Sequence, residues 1–308
     1  MPHSCEPRAV TDAADARTIL VPLDGSAFSE VAVPVASRLA ERLSADIALF
    51  SAVPTADDVP ERERELARSL PGRQVQRLVV VNLDVAGAIH EALRRLPGAV
   101  ACMATRGRGR TAALIGSVAT EVIARGHDPL ILVGPLNGDH APWLDDPEPS
   151  GVVAGVDENP AVDTILSAAV HWAKMLHERL LIVSIAEPLP PPLASGEVHR
   201  KNGPDGDVTL FLRVLATRAK REIEDVEVRA LYDPVSVADG MRTFLREHPA
   251  QLVVVSTHGY LGIPRAVFGS VAADIVRSSP SPVLVVPYAT PRRPKRRRHF
   301  ARRLRVLR

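Results

Sequence analysis

Two glycine-containing loops of similar sequence lie in different halves of the chain, and each could bind an anion. The first is ATRGRGRTAALIGSVATEVIAR at 104–125, and the second is STHGYLGIPRAVFGSVAADIVR at 256–277. Each follows an apolar run and leads through Gly-Ser-Val-Ala into a helical pattern. Free N–H groups at a helix N-terminus attract phosphate, and glycine lets the phosphate approach the backbone. The alternative is that each Gly-Ser pair only caps its helix.

An aspartate follows the first apolar run of each half. Asp24 lies in TILVPLDGSAFSE and Asp157 in SGVVAGVDENPAV. In an open parallel sheet, ligands bind outside the carboxyl ends of the strands, where the strand order reverses. If the first and fourth strands of each half are neighbours, the acid and the glycine loop share one crevice. Asp24 could instead cap the helix that is predicted to begin near Ala27.

The two halves repeat one alternation of strands and helices. Helical spacing relates the apolar residues after each acid, which are Phe28, Val31, Ala32, Val35, Leu39 and Leu43 in the first half and Ile165, Leu166, Ala169, Ala173 and Leu176 in the second. The two acids are 133 positions apart, whereas Gly116 and Gly269 are 153 apart, and an insertion at 188–207 explains most of the difference. Short buried strands between helices predict the α/β class, with a parallel sheet covered on both faces.

This organisation predicts five segments. Residues 1–17 form a flexible N-terminal segment, 18–135 and 151–288 form two homologous domains, 136–150 form a linker, and 289–308 form a basic tail. The last seventeen residues contain ten Lys or Arg and no acid, so removing them from a chain of net charge +2 leaves about −8. The tail could bind nucleic acid or an anionic membrane surface, or it could fold back on the acidic body.

Composition and missing motifs narrow the function classes. With 46% hydrophobic and 24% charged residues, the chain is expected to be globular. The N-terminus lacks the apolar segment of a secretory signal, and Cys5 and Cys102 make no CxxC motif, so we expect a cytoplasmic protein. The sequence has no Gly-Lys dipeptide of a Walker loop, no HExxH and no GxSxG. We therefore expect a binding protein with neither catalytic residues nor a metal site.

The loops and the acids together resemble the universal stress protein family. Its nucleotide-binding members share the pattern Gly-x2-Gly-x9-Gly-Ser/Thr and an aspartate that closes the first strand. The resemblance covers Thr18 to Tyr288 as a tandem of two domains. It implies an adenine nucleotide alpha hydrolase-like fold in each domain, with five parallel strands in the order 3-2-1-4-5. It also implies that the domains pair through their last strands and that whole chains associate further as a homodimer.

The family pattern transfers unevenly to the two halves. In the second half, nine residues separate Gly259 from Gly269, and Ser256 stands in place of the first glycine. In the first half, eight residues separate Gly107 from Gly116, and alanine replaces the first glycine. The resemblance implies that the following residues contact the nucleotide: Pro22, Asp24, Ala52, Met103, Ala104, Gly107, Gly116, Ser117 and Val118 in the first half, and Asp157, Ile185, Val255, Ser256, Gly259, Gly269, Ser270 and Val271 in the second.

The leading hypothesis is a tandem universal stress protein that binds ATP, with Mg²⁺ as an optional companion ion. It would act in stress response as a nucleotide-dependent regulator or sensor that an unidentified protein partner reads. Two alternatives stay open. One is a weak ATPase or nucleotidyl-transferring enzyme on the same fold. The other is a nucleotide-free scaffold whose basic tail docks on nucleic acid or membrane.

Overall fold

The computed structural model describes residues 17–71, 75–96, 98–105, 115–126, 128–137, 151–186, 204–257 and 269–287. Several predictions fall outside these residues. They concern the segment before residue 17, the linker from 138 to 150, the insertion up to 203, the glycines Gly107 and Gly259, and the basic tail.

The first half alternates strands with helices, as the sequence predicts. Its strands are β1 (Thr18–Pro22), β2 (Asp46–Val53), β3 (Gln76–Val81), β4 (Ala99–Ala104) and β5 (Leu130–Val133). Its helices are α1 (Ala27–Glu30), α2 (Ala32–Leu43), α3 (Val59–Ser69), α4 (Val85–Arg95) and α5 (Ser117–Arg125), with a 3-10 turn at Ala56–Asp58 before α3. Parallel strands require crossover connections such as these helices, because the end of one strand and the start of the next lie at opposite edges of the sheet.

The second half repeats this alternation. Its strands are β6 (Val152–Gly155), β7 (Leu180–Ala186), β8 (Val226–Tyr232), β9 (Leu252–Ser256) and β10 (Val283–Val286). Its helices are α6 (Val162–Leu176), α7 (Pro204–Ala219), α8 (Val237–Glu247) and α9 (Ser270–Ser278). The helices α2 and α6 even end alike, because Ser44 and His177, which are 133 positions apart, both adopt the left-handed conformation at the helix C-terminus.

All ten strands form one sheet in the order β3-β2-β1-β4-β5-β10-β9-β6-β7-β8. Each half therefore has the predicted order 3-2-1-4-5, with parallel pairing throughout. The two halves join through their last strands, which is also as predicted, and this pair alone is antiparallel among the described strands. Ile131 pairs with Leu284, its counterpart 153 positions later. A pseudo-two-fold axis therefore passes through this residue pair.

Apolar side chains form a core on each face of the sheet, and both cores continue across the junction between the halves. On one face, helices α2, α3, α6 and α7 pack on the sheet, and Ile131 and Leu284 belong to this core. On the other face, helices α4, α5, α8 and α9 cover Leu132 and Val283. Burial on both faces explains why the strands are continuous apolar runs rather than alternating ones.

The helix after Asp24 is interrupted, which the apolar spacing did not predict. The helix α1 ends at Glu30, and α2 begins at Ala32. Pro34 explains the break, because a proline ring clashes with the carbonyl four residues earlier, here that of Glu30. Phe28 belongs to the helically spaced apolar series but does not join the core, because it lies on the short helix α1 and is 55% exposed. The predicted apolar residues of α6 are all buried.

Asn137 connects the two halves beyond the strand pairing. Its side chain is fully buried, its Oδ1 accepts from the N–H of Gly134 at 3.2 Å, and its Nδ2 donates to the carbonyl of Ser279 at 3.1 Å. Ser279 ends α9 in the second half. Beside this contact, a Cβ built on Gly134 would overlap the carbonyl oxygen of Val276. The glycine is therefore required for the close approach of α9.

We expect Asn137→Ala to lower the free energy of unfolding by about 1–3 kcal/mol, because it removes the partner of two buried backbone groups. Urea denaturation of the full chain measures the change. The matched control is Asn82→Ala, at an exposed asparagine whose Oδ1 accepts from the N–H of Asp84. We expect that control to change stability by less than about 0.5 kcal/mol. Equal losses in the two variants would show that Asn137 does not hold the halves together.

Candidate functional site

Each half places a helix N-terminus beside the carboxyl ends of its two central strands. We call the region bounded by Asp24 and Gly116 the first site, and the region bounded by Asp157 and Gly269 the second site. The strand β1 lies next to β4, and β6 lies next to β9. The condition set by the sequence is therefore met, and the acid after the first strand and the start of the loop after the fourth strand lie at the same edge of the sheet. This edge is where open α/β sheets bind their ligands.

A threonine closes the base of each glycine loop. In the first half, the carbonyl of Thr105 accepts from the N–H of Gly116 at 2.5 Å; in the second, the carbonyl of Thr257 accepts from the N–H of Gly269 at 2.8 Å. Both threonines are buried, and their own N–H groups donate to the ends of β5 and β10 at 3.0 and 3.1 Å. The two ends of each loop are thus held together, and the helix start is fixed beside the strand end.

The two helices at these sites begin without a side-chain cap. Gly116 and Gly269 themselves are the N-cap residues, and neither α5 nor α9 has a side-chain hydrogen bond at its cap. By contrast, Asp84 caps α4 and Ser236 caps α8. The glycine of each Gly-Ser pair is therefore the cap residue, as the capping alternative requires, and anion binding by the pair stays a prediction. An uncapped helix N-terminus presents backbone donors and positive dipole charge, which suit a phosphate.

The serines after the two glycines are exposed at the first helical position. Ser117 and Ser270 both lie at the surface, where their hydroxyls are accessible to a ligand. Val118 is half-buried and Val271 is exposed in the same turn. These four residues thus occupy the same positions in the two sites, although the loop that precedes them is one residue shorter in the first half.

Asp24 organises the turn that follows β1. Its Oδ1 accepts from the N–H of Ser26 at 2.9 Å and from the Ser26 hydroxyl at 2.6 Å. Ser26 in turn is the N-cap of α1 and accepts from the N–H of Ser29. The alternative that Asp24 itself caps this helix is therefore wrong. A carboxylate held in this way keeps a fixed position at the end of the strand, where it can accept from a ligand hydroxyl.

Asp157 is held differently at the second site. The Asn159 side chain donates to its Oδ1, while the Asn159 Oδ1 accepts from the N–H of Ala161 at 2.6 Å. The residue is exposed, but the surrounding protein removes part of the hydration of its carboxyl and raises the pKa of that group above its usual range. The hydrogen bonds from Asn159 oppose this rise without cancelling it.

We expect Asp157→Asn to raise the melting temperature at neutral pH. A raised pKa means that the ionised carboxyl is disfavoured in the folded protein. The ionised carboxyl therefore destabilises the folded protein to its full extent at a pH above the folded-state pKa. This destabilisation disappears as the pH falls through that pKa towards 3.8, the ordinary pKa of aspartate. Thermal melts of both proteins over this range measure the difference. A difference in melting temperature that stays constant with pH would contradict the raised pKa of Asp157.

The remaining predicted contact residues lie on strand ends. Pro22 ends β1 and is half-buried, and Ala52 near the end of β2 is also half-buried. Met103 and Ala104 end β4, and Val255 and Ser256 end β9; all four are buried. Ile185 near the end of β7 packs against Gly240 of α8, at whose position a Cβ would lie 2.9 Å from the Ile185 Cγ2. Their contact with a nucleotide stays a prediction.

The described residues contain neither a membrane-spanning helix nor a metal-binding cluster. No described helix is both long enough and apolar enough to cross a membrane. Among the same residues, no three His, Cys, Asp or Glu side chains form a group that could hold a metal ion. Cys102 is buried in β4, and burial raises the pKa of its thiol.

Comparison with known proteins shows which family the chain resembles. The model of the universal stress protein family matches residues 151–287. The universal stress protein Rv1996 of Mycobacterium tuberculosis is 28% identical over 314 residues, which cover 87% of this chain and 94% of that protein. Residues 151–287 therefore match the universal stress protein family, and the chain as a whole is similar to a member of that family.

Solved structures show the same tandem fold. A universal stress protein from Archaeoglobus fulgidus superposes with a TM-score of 0.61 at 18% identity, covering 88% of this chain and 98% of that one. The protein PA1789 from Pseudomonas aeruginosa, described as functionally unknown, superposes with a TM-score of 0.52 at 15% identity, covering 91% of this chain and 95% of that one. Both similarities extend over the two halves of the chain.

Proposed function

We propose that this chain is a universal stress protein that binds ATP at the first and second sites and acts as a nucleotide-dependent regulator. One observation carries the proposal. In both halves, an uncapped helix start is fixed by a buried threonine at the strand end that lies beside an aspartate. The helix N-terminus suits the phosphates, and the carboxylate suits a ribose hydroxyl. Adenine as the base, and Mg²⁺ as an optional companion ion, rest on the family resemblance.

The proposed mechanism is a change of loop order with occupancy. Bound phosphates would hold the glycine loops against the helix starts, and a partner protein would bind the surface that results. We propose a binding protein in the cytoplasm, with slow ATP hydrolysis at most. Association of whole chains as a homodimer, and contact of the basic tail with nucleic acid or an anionic membrane, stay predictions.

Equilibrium dialysis of the full chain against ATP, with and without Mg²⁺, tests the proposal. We expect saturable binding of up to two ATP molecules per chain and much weaker binding of GTP. Steady release of phosphate from the same samples would favour the ATPase alternative. Absence of saturable binding under both conditions would contradict the proposal and leave the scaffold alternative.

A further inference from the structure

An arginine from α3 lies directly over the turn that follows Asp24. The Arg62 guanidinium contacts Gly25, where a built Cβ would overlap Nη1. Gly25 has a φ of +77°, which glycine adopts without strain. Glycine at this position therefore permits both the turn after β1 and the approach of the arginine.

The guanidinium is largely buried and poorly paired. The Arg62 side chain is 14% exposed, and its Nη1 lies 2.7 Å from Oε2 of Glu65, one turn later on α3. The ion pair is misaligned, because Nε, Nη1 and the Glu65 Oε2 are all buried without a hydrogen bond. Buried donors of a charged group normally have partners, since leaving them without one costs stability. A cation in this state can gain hydrogen bonds by turning to an anion.

Arg62 lies beside the first site, over the residue that follows Asp24. It covers the residue after Asp24, and β1 is the direct neighbour of β4, whose loop leads to Gly116. Neighbouring strands are about 5 Å apart, which is within the reach of an arginine side chain. The second site differs here, because the residue after Asp157 is the exposed Glu158. The turn of the second site therefore lacks the glycine over which Arg62 lies at the first site.

We propose that Arg62 is a ligand-contacting residue of the first site and makes that site select nucleotides by their number of phosphates. This inference rests on the proposed function. A guanidinium donates charge-assisted hydrogen bonds to phosphate oxygens. A nucleotide with fewer phosphates offers fewer of these acceptors and should therefore gain less affinity from Arg62. Glu65 holds the arginine on Gly25 while the site is empty and competes with the phosphates for it.

Affinities for ATP and AMP test the proposal in full-length protein that carries Gly269→Glu to block the second site. We expect Arg62→Gln to weaken ATP binding by about tenfold or more, and AMP binding by less than about threefold. Glu65→Gln should strengthen ATP binding, because it removes the competing carboxylate. The matched control is Arg64→Gln, at an exposed arginine of the same helix whose Nε donates to the carbonyl of Pro60. This control should change neither affinity.

The outcomes separate this inference from the proposed function. Equal weakening of ATP and AMP by Arg62→Gln, or no weakening, would overturn the role of Arg62 while leaving ATP binding intact. If the Gly269→Glu background binds no ATP although the unaltered chain binds one molecule, the first site is not a nucleotide site and the inference fails alone. If the unaltered chain binds no ATP, the proposed function fails and the inference fails with it.

Discussion

Gly269→Glu is expected to abolish ATP binding at the second site. The new carboxylate would stand at the helix start where the phosphates are proposed to lie. Like charges in such contact cost several kcal/mol, which corresponds to about a 100-fold or greater loss of affinity. Isothermal titration calorimetry of the full chain measures the loss as the disappearance of one of the binding events.

The backbone at this position tolerates the substitution. Gly269 has φ −60° and ψ 143°, which any residue adopts, so the variant should keep its circular dichroism spectrum and melting temperature. Gly269→Gln tests bulk without charge and should weaken binding less. Gly116→Glu is the matched variant of the first site, since Gly116 has nearly the same backbone angles. Full ATP affinity at both sites in folded Gly269→Glu protein would contradict the assignment.

Leu284→Ala is expected to lower the free energy of unfolding by about 2–5 kcal/mol, because it leaves a cavity in a fully packed core. Leu284 is 0% exposed and pairs with Ile131 at the pseudo-two-fold axis. Since the sheet and both cores continue across this junction, the two halves should lose stability together. Urea denaturation of the full chain, followed by fluorescence and circular dichroism, measures one shifted transition.

Leu83→Ala provides the matched control. Leu83 is 83% exposed beyond the edge strand β3, so its truncation should change stability by less than about 0.5 kcal/mol. A similar effect of the two leucine substitutions would contradict the account of the junction. Two separate transitions in the unaltered protein would show that the halves unfold independently despite the shared sheet.

The features that depend on local periodicity could be predicted from the sequence. The runs DIALFSAV and LLIVSIA coincide with β2 and β7 as the structure has them, because each is a continuous apolar segment of strand length. The neighbouring positions of the first and fourth strands were implied only by the family resemblance, and the structure confirms them. Internal repetition made the argument stronger, since each of the five strands of one half has a counterpart in the other.

The features that depend on long-range contacts could not be predicted. Asn137 was assigned to the linker, because nothing in its local sequence shows that it bonds to Ser279, which is 142 positions away. The position of Arg62 over Gly25 likewise depends on how α3 packs. Other signals were present and missed. Thr105 and Thr257 occupy the same place after their strands, and Pro34 indicated the break between α1 and α2.

The amount of nucleotide that the protein carries tests the central claim most directly. The full chain would be purified under native conditions and denatured, and the released nucleotide would be identified and quantified by chromatography. The account predicts about one or two equivalents of ATP per chain, or the same amount after incubation with ATP and Mg²⁺ and removal of the excess. If the purified protein releases none and also retains none after that incubation, the two uncapped helix starts are not nucleotide sites.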